Sequence, residues 1–415
     1  MIAQVIEIDN LTSAEKEITG IGSHRMGVGL MAPKAVFRAV KLRAIPSPAA
    51  NIIKQEMLSF GGEAVVTHGT INHSVPSTDV LVLGSLKHLQ ELVAKLKLHQ
   101  FGLPEVSAQI RIALDNYDSV PESLKIGHRT LDFGHRTYIM GVLNVTPDSF
   151  SDGGEFADAQ KAAAHGRKML EQGADIIDVG GESTRPGSDP ISAEEEKRRI
   201  LPVIERLAED PRAVISVDTT KAEVAEAALS AGASMVNDVS GLRFDPEMAK
   251  VAARFRVPVC LMHIQGTPRN MQADPVYADL MGEIINYLEE GLAIAEKAGI
   301  LQGKIMIDPG IGFGKTVEHN LEILSRLREL KVLGRPIMIG ASRKSLIGKV
   351  LDLPVNERME GTAATVALSI ANGADIVRVH DVGEMARVAR MTDAIVRLRS
   401  NSVQGRKENG EKEKG

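Results

Sequence analysis

Eight short apolar runs in this 415-residue chain end on residues that can do chemistry. They close on Asn144, on Gly180 with GESTRPGS around it, on Asp218, on Asn237 and Asp238, and on His263. The last three close on Asp308 with PGIGFGK, on Ser342 to Ser345, and on Arg378 with His380. Any one of these could cap a loop, but the whole set is better explained by a shared mouth. The set divides into two chemical needs. Asp218, Asn237, Asp308 and Lys344 combine carboxylate and amide groups with one ammonium. A carboxylate accepts parallel hydrogen bonds from a guanidine-like N–H pair, and a Lys or amide N–H satisfies a ring carbonyl. A flat, polar heterocycle such as a pterin requires that. Arg185, Arg378 and His380, with Asn144 as an oxygen donor, suit a phosphate group and a hard divalent cation. The plainer alternatives are an ion pair from Arg378 to a barrel carboxylate and a core position for His380. Two other patterns fail: GIGFGKT (310–316) has Pro309 where a phosphate-binding loop needs glycine, and His68 and His73 are five apart, off helical ligand spacing.

The elements that must position these residues can be read from the same runs: 138–144, 175–180, 213–218, 234–238, 257–263, 304–308, 336–340 and 375–380. Each is short, rich in β-branched residues and apolar on both faces, as in parallel strands covered by helices. Amphipathic stretches such as 193–210 and 221–232 alternate with them. Eight strand–helix units predict an α/β fold, a (β/α)₈ TIM barrel over 131–400, with its active site at the strands' C-terminal ends. Residues 1–130 do not share the rhythm. Strands at 35–45, 63–68 and 79–84 and helices at 49–60 and 85–101 predict a smaller N-terminal α/β domain with βαβ character. The polar stretch 116–128 reads as a linker, and 401–415 as a disordered tail.

Composition narrows the function. The formal charge of −5 gives no basic field for nucleic acid, and Trp is absent, with only 4 Tyr and 9 Phe to stack on bases. No apolar stretch is long enough to span a bilayer, and the N-terminus is not a secretory signal. One cysteine, Cys260, excludes an intrachain disulfide framework and a cysteine zinc cage. These features predict a soluble cytoplasmic protein acting on small molecules.

Residues 136–398 resemble dihydropteroate synthase, a family of pterin-binding barrels. The resemblance rests on MGVLNVTPDSFSDGG (140–154) and DIIDVGGESTRPGS (175–188). It continues through SVDT (216–219), NDVSG (237–241), LMH (261–263), DPGIGFGK (308–315), GASRKS (340–345) and RVHDV (378–382). It implies joining of 6-hydroxymethyl-7,8-dihydropterin diphosphate to 4-aminobenzoate, with Mg²⁺, in a homodimer that sulfonamides target. It implies that Asp218, Asn237, Asp308 and Lys344 bind the pterin edge, with Met262 and Phe313 on its faces. Asn144 would be the metal ligand, and Arg185, Arg378 and His380 would hold the diphosphate. Phe150, Thr184, Pro186 and Ser345 would form the 4-aminobenzoate subsite, with Ser345 opening a short helix at 345–350. Asp152 would stabilise a cation formed as pyrophosphate leaves. A pterin-barrel methyltransferase with a corrinoid partner shares the ring contacts but needs no diphosphate site. A binding scaffold without catalysis needs neither substrate loop. The N-terminal domain carries no signature of the enzyme that makes the diphosphate substrate, so a regulatory, oligomerising or packing role is expected for it.

Overall fold

In the N-terminal unit three strands, β1 (Phe37–Pro46), β2 (Glu63–Val66) and β3 (Ser77–Ser85), form an antiparallel sheet in the order β1-β3-β2. Alternation along β3 buries Thr78, Val80 and Val82 on one face. The helices Ser47–Ser59 and Leu86–Leu96 cover that face through Ile53, Met57, Leu89 and Leu92. Because β3 lies between β1 and β2, the expected βαβ unit is a split one. Three helices escaped the sequence reading: Leu11–Gly20, Arg25–Ala35 and Leu103–Asp118. The first two bury only Ala14 and Ala32, so no apolar stripe announces them.

The computed structural model describes residues 2–146, 154–183 and 187–397, apart from the side chains of 154–157. It divides into Met1–Asp118 and Ser119–Gly415. This corrects the linker reading of 116–128 and moves the boundary from 130 to 118. Asn116 to Asp118 end a helix, and 124–131 form a hairpin, β4 (Leu124–Ile126) paired with β5 (Arg129–Leu131). Leu124, Ile126 and Leu131 are almost wholly buried, which a polar count over the segment concealed.

The eight expected strands are all present. They are β6 (Tyr138–Asn144), β7 (Ile176–Gly180), β8 (Ile215–Asp218), β9 (Met235–Asp238), β10 (Val259–Met262), β11 (Ile305–Asp308), β12 (Met338–Ile339) and β13 (Ile376–Val379). They pair in parallel, and the bridge between Ile307 and Ile337 joins the first and last strands of the sheet into a barrel. Some of the helices between the strands start at side-chain caps, at Ser192, Asp279 and Thr316. Ser192 accepts from the Glu195 amide at 3.2 Å at the head of Ala193–Ala208, whose first turn carries three glutamates.

The register of the barrel interior locates the site. Met140, Ile176, Val214, Met235, Cys260, Met306, Met338 and Ile376 form one apolar layer with Leu124, Ile126 and Leu131 of the hairpin, which closes the N-terminal end. Strand side chains alternate, so two positions further along each strand the side chain again points inward. Those positions hold Val142, Asp178, Ser216, Asn237, Met262, Asp308, Gly340 and Arg378. A polar layer therefore lies directly above an apolar one. Among the described residues, no helix is long and apolar enough to cross a membrane.

Candidate active site

Arg378, on β13, is at the centre of the polar layer. Its Nε donates to Asp178 Oδ2 at 2.7 Å and its Nη2 to Asp218 Oδ2 at 2.7 Å. Asn237 Nδ2 donates to the same Asp178 oxygen at 2.9 Å. Asp178 is fully buried, and its other oxygen, Oδ1, has no partner. Asp308 is buried at the end of β11 and accepts from the Gly310 amide at 2.7 Å. Met262 and Phe313 form an apolar patch with Val239, Ile264 and Met271. The Lys344 ammonium lies 4.3 Å from the centre of the Phe313 ring.

Lys344 is aimed by its loop. Arg343 takes φ 57°, an uncommon left-handed conformation for a side-chain-bearing residue, and its guanidinium forks Asp381. Arg358 Nη1 donates to the Arg343 carbonyl at 3.0 Å and fixes the turn. Ser345 is exposed as the first residue of the helix Ser345–Leu351. His380 is tied to Ser342 Oγ by its Nδ1 at 3.1 Å and by its amide at 3.2 Å. Asn144 ends β6, half-buried, paired with Gly180 of β7.

Burial and charge displace the ionisations here. Burial pushes Asp218 up to about 7, with Arg378 pulling the other way. Burial raises Asp308, opposed by its hydrogen bond from Gly310. Lys344 is drawn down to about 8 by burial and by Arg378. His380 is drawn down to about 4 by the same two causes, so it is neutral at pH 7. Arg378 is raised, because Asp178 and Asp218 outweigh its burial.

Of the residues singled out in the sequence, Asp218, Asn237, Asp308, Lys344, Met262, Phe313, Arg378, His380, Asn144 and Ser345 all lie at or beside the strands' C-terminal ends. Phe150, Asp152, Thr184, Arg185 and Pro186 lie outside the described residues. Arg378 differs in detail from the phosphate-binding picture. Its guanidinium is held by two carboxylates, the ion pair that was its plainer alternative. Asp178 escapes the sequence reading because it lies inside its run, which ends on Gly180. The available signal was a carboxylate inside a run buried on both faces. Lys315 was missed inside a glycine-rich motif. The glycines there serve close packing: Gly310 and Gly314 have φ of 70° and 64°, and a Cβ on them would collide with the carbonyls of His263 and Gln265. The second loop is anchored where it is described. Lys221 Nζ reaches Glu182 at 2.7 Å and the fully buried Glu196 at 2.6 Å.

Comparison with known proteins agrees with this geometry. The pterin binding enzyme family matches residues 140–380. The dihydropteroate synthase of Clostridium beijerinckii is 53% identical over 275 residues, covering 66% of this chain and all of that protein. A probable bifunctional folylpolyglutamate synthase/dihydropteroate synthase of Halobacterium salinarum is 42% identical over 388 residues, 94% of this chain and 46% of its own length. The Clostridium difficile dihydropteroate synthase, solved in the presence of pteroic acid, superposes with a TM-score of 0.61. It has 52% identity, covering 64% of this chain and 99% of that one. An acceptor-rich layer at the mouth of a closed barrel, with these matches along its strand ends, places the chain in the dihydropteroate synthase family of pterin-binding enzymes, transferases of folate synthesis.

Proposed function

We propose that the chain joins 6-hydroxymethyl-7,8-dihydropterin diphosphate to 4-aminobenzoate by an SN1-like transfer. The observation that carries this reading is the layer of buried Asp178, Asn237 and Asp308 with half-buried Asp218. It offers more hydrogen-bond acceptors than the protein itself uses. Asp308, Asn237 and Asp218 receive the amino and ring N–H groups of the pterin, and Lys344 donates to its carbonyl and N5. Met262 and Phe313 pack on its faces. The diphosphate is assigned to Arg378 and neutral His380, with Arg185 of the second loop. Phe150, Thr184, Pro186 and Ser345 take the 4-aminobenzoate.

The bond from the pterin methylene to the diphosphate oxygen breaks with its electron pair leaving on pyrophosphate. The carboxylates of the layer stabilise the methylene cation, a role the reading also assigns to Asp152 of the first loop. The aniline lone pair then forms the new C–N bond, and a nitrogen proton passes to solvent. No strong general base is needed, because an aniline is unprotonated at neutral pH. The donor chemistry fits Mg²⁺. Asn144 offers one hard oxygen, and the described residues hold no cluster of three His, Cys, Asp or Glu side chains. Such an ion is held mainly by water and substrate phosphates. When bound it neutralises charge on the departing pyrophosphate.

Two coarser features are part of the same reading. Leu368, Met391 and Ile395 are exposed on the adjoining helices Met359–Ala371 and Val382–Val396, which supports a homodimer through that side. A buried free thiol at Cys260 is compatible with the cytoplasm. Both substrates together should release pyrophosphate and give a product with the mass of dihydropteroate. Pyrophosphate release indifferent to 4-aminobenzoate, or methyl transfer from methyltetrahydrofolate to a corrinoid, would replace this function.

A further inference from the structure

The loop that follows β11 is tied down from inside by a lysine side chain that the transfer reaction does not use. Lys315 is 3% exposed. Its Nζ donates to the Phe313 carbonyl at 2.9 Å and lies 2.8 Å from His263 Nδ1 and 3.4 Å from the His263 carbonyl. Burial draws this lysine down to about 7, with Asp308 opposing, so amine and ammonium forms are both present near neutral pH. Either form donates N–H groups, and three acceptors surround it. His263 is itself buried and held far below the usual imidazole range, to about 2, by burial and by Lys315. A neutral ring with a lone pair on Nδ1 is the partner such a lysine needs.

Both ends of this link touch the pterin patch. His263 follows Met262, and Phe313 lies in the same apolar cluster as Met262. Other pins act on the loop backbone without reaching β10. The Gly312 amide donates to Asn320 Oδ1 at 2.7 Å, and Tyr277 Oη donates to the Gly314 carbonyl at 2.7 Å. Lys315 alone among these bridges the loop directly to the residue after β10. The close approach of Gly310 to the His263 carbonyl leaves no space for a side chain to wedge the two segments apart.

We propose that Lys315, acting through His263, is a positioning residue for pterin specificity: it ties the Phe313 backbone to the residue after Met262 and so holds in place the apolar patch against which the ring packs. This rests on the reading of Asp308 and Phe313 as pterin contacts. Removing the link should loosen that patch and weaken ring binding, while the 4-aminobenzoate subsite is untouched.

The test measures calorimetric binding of 6-hydroxymethylpterin, which lacks the diphosphate, together with steady-state KM for both substrates, in the full chain. Lys315→Met should raise the pterin Kd at least tenfold and leave KM for 4-aminobenzoate within twofold. His263→Leu, which keeps both carbonyls and the lysine, should raise the pterin Kd at least threefold. It carries the test if Lys315→Met does not fold. His263→Asn, whose Oδ1 can replace Nδ1 as acceptor, should stay within twofold of the parent. The double variant should lose no more than Lys315→Met alone, the mark of two groups acting as one. Unchanged pterin binding in both His263→Leu and any folded Lys315→Met overturns the proposal. So does a fall in kcat with both substrate affinities unaltered, which is the behaviour of a purely structural lysine. Asp308→Asn separates the two levels: if it too leaves pterin binding unchanged, the pterin site itself is misplaced.

Discussion

The mouth and the floor of this barrel use the same residue types to opposite ends. At the floor rim Asp175 is buried and accepts from the Ile139 amide at 2.9 Å, from both Arg136 nitrogens at 3.0 and 2.7 Å, and from Arg129 at 2.7 Å. Asp393 is likewise filled by the Thr137 amide and hydroxyl and by Arg397. A cavity of about 670 Å³ lies among these groups, larger than many ligand sites need. Every oxygen of these two carboxylates has at least one partner. At the mouth Arg378 also grips two carboxylates, yet Asp178 Oδ1 and the Ser216 hydroxyl are buried without partners. Buried polar groups in native proteins are nearly always paired, so unused capacity in a concave site points to a ligand. A displaced pKa is a weaker marker. Asp375, outside the mouth at the start of β13, is pushed up to about 6 by burial alone.

The largest test of this comparison removes the floor. A chain beginning at Ser119 keeps the hairpin and should fold and make dihydropteroate at a rate within about tenfold of full length, about 1.4 kcal/mol in barrier. The Clostridium beijerinckii relative, matched along its whole length over 275 residues, is too short to hold both units. A chain beginning at Gly134 loses Leu124, Ile126 and Leu131. At about 1.5–3 kcal/mol for each buried side chain, the loss approaches the whole stability of a domain. Circular dichroism should show no cooperative melting in the shorter chain. A start near residue 126 cuts through β4.

The next test breaks the mouth. Arg378→Ala leaves Asp178 buried with its ion-pair partner gone, and such losses cost about 3–5 kcal/mol. Urea unfolding should register that loss, and turnover should fall by more than a hundredfold. If stability is unchanged while affinity for the diphosphate substrate falls, Arg378 serves the phosphate more than the carboxylates.

Acid should act on the mouth through His380, which is held at about 4 against an unfolded value near 6.5. The unfolded chain then binds more protons than the folded one between those values, so stability rises with pH across that window. About 3 kcal/mol should be lost from pH 7 to pH 4 through this group. His380→Gln should remove that part of the slope in urea titrations at several pH values; an unaltered slope would assign it elsewhere.

Ligand binding gives a smaller effect. Asp308→Asn replaces a double acceptor by a group that turns a donor toward a ring N–H. A charge-assisted hydrogen bond is worth roughly 1.5–3 kcal/mol, so pterin affinity should fall about tenfold to 150-fold. Calorimetry on the folded variant decides it.

The barrel was legible because its strands are apolar on both faces and its site residues end those strands, two properties that need no tertiary information. Asp178 and Lys315 were not, because their meaning depends on what faces them. Asp178 became a site residue through Arg378, 200 positions away, and Lys315 through His263, 52 positions away. The hairpin was missed for a related reason. Its three buried side chains are spread through a segment whose polar residues dominate any local average, and only the barrel's open end makes those three an apolar plug. The helices Leu11–Gly20 and Arg25–Ala35 lack a stripe because they bury one alanine each.

The smallest effect belongs to the floor arginines. Arg136 is 45% exposed at its side chain, and Asp175 keeps Arg129 and the Ile139 amide when it is removed. Nothing buried is stranded, unlike Asp178 without Arg378. Arg136 also stacks its guanidinium 4.0 Å from the centre of the Tyr138 ring, a contact worth about 0.5–1 kcal/mol at an exposed site. Exposed ion pairs add about 0–1 kcal/mol. Arg136→Ala should therefore cost about 1 kcal/mol in urea unfolding and leave kcat and both KM values within twofold. A turnover loss as large as that of Arg378→Ala would show that the floor cavity is coupled to the reaction. The distinction between saturated and unsaturated carboxylates would then no longer separate support from site.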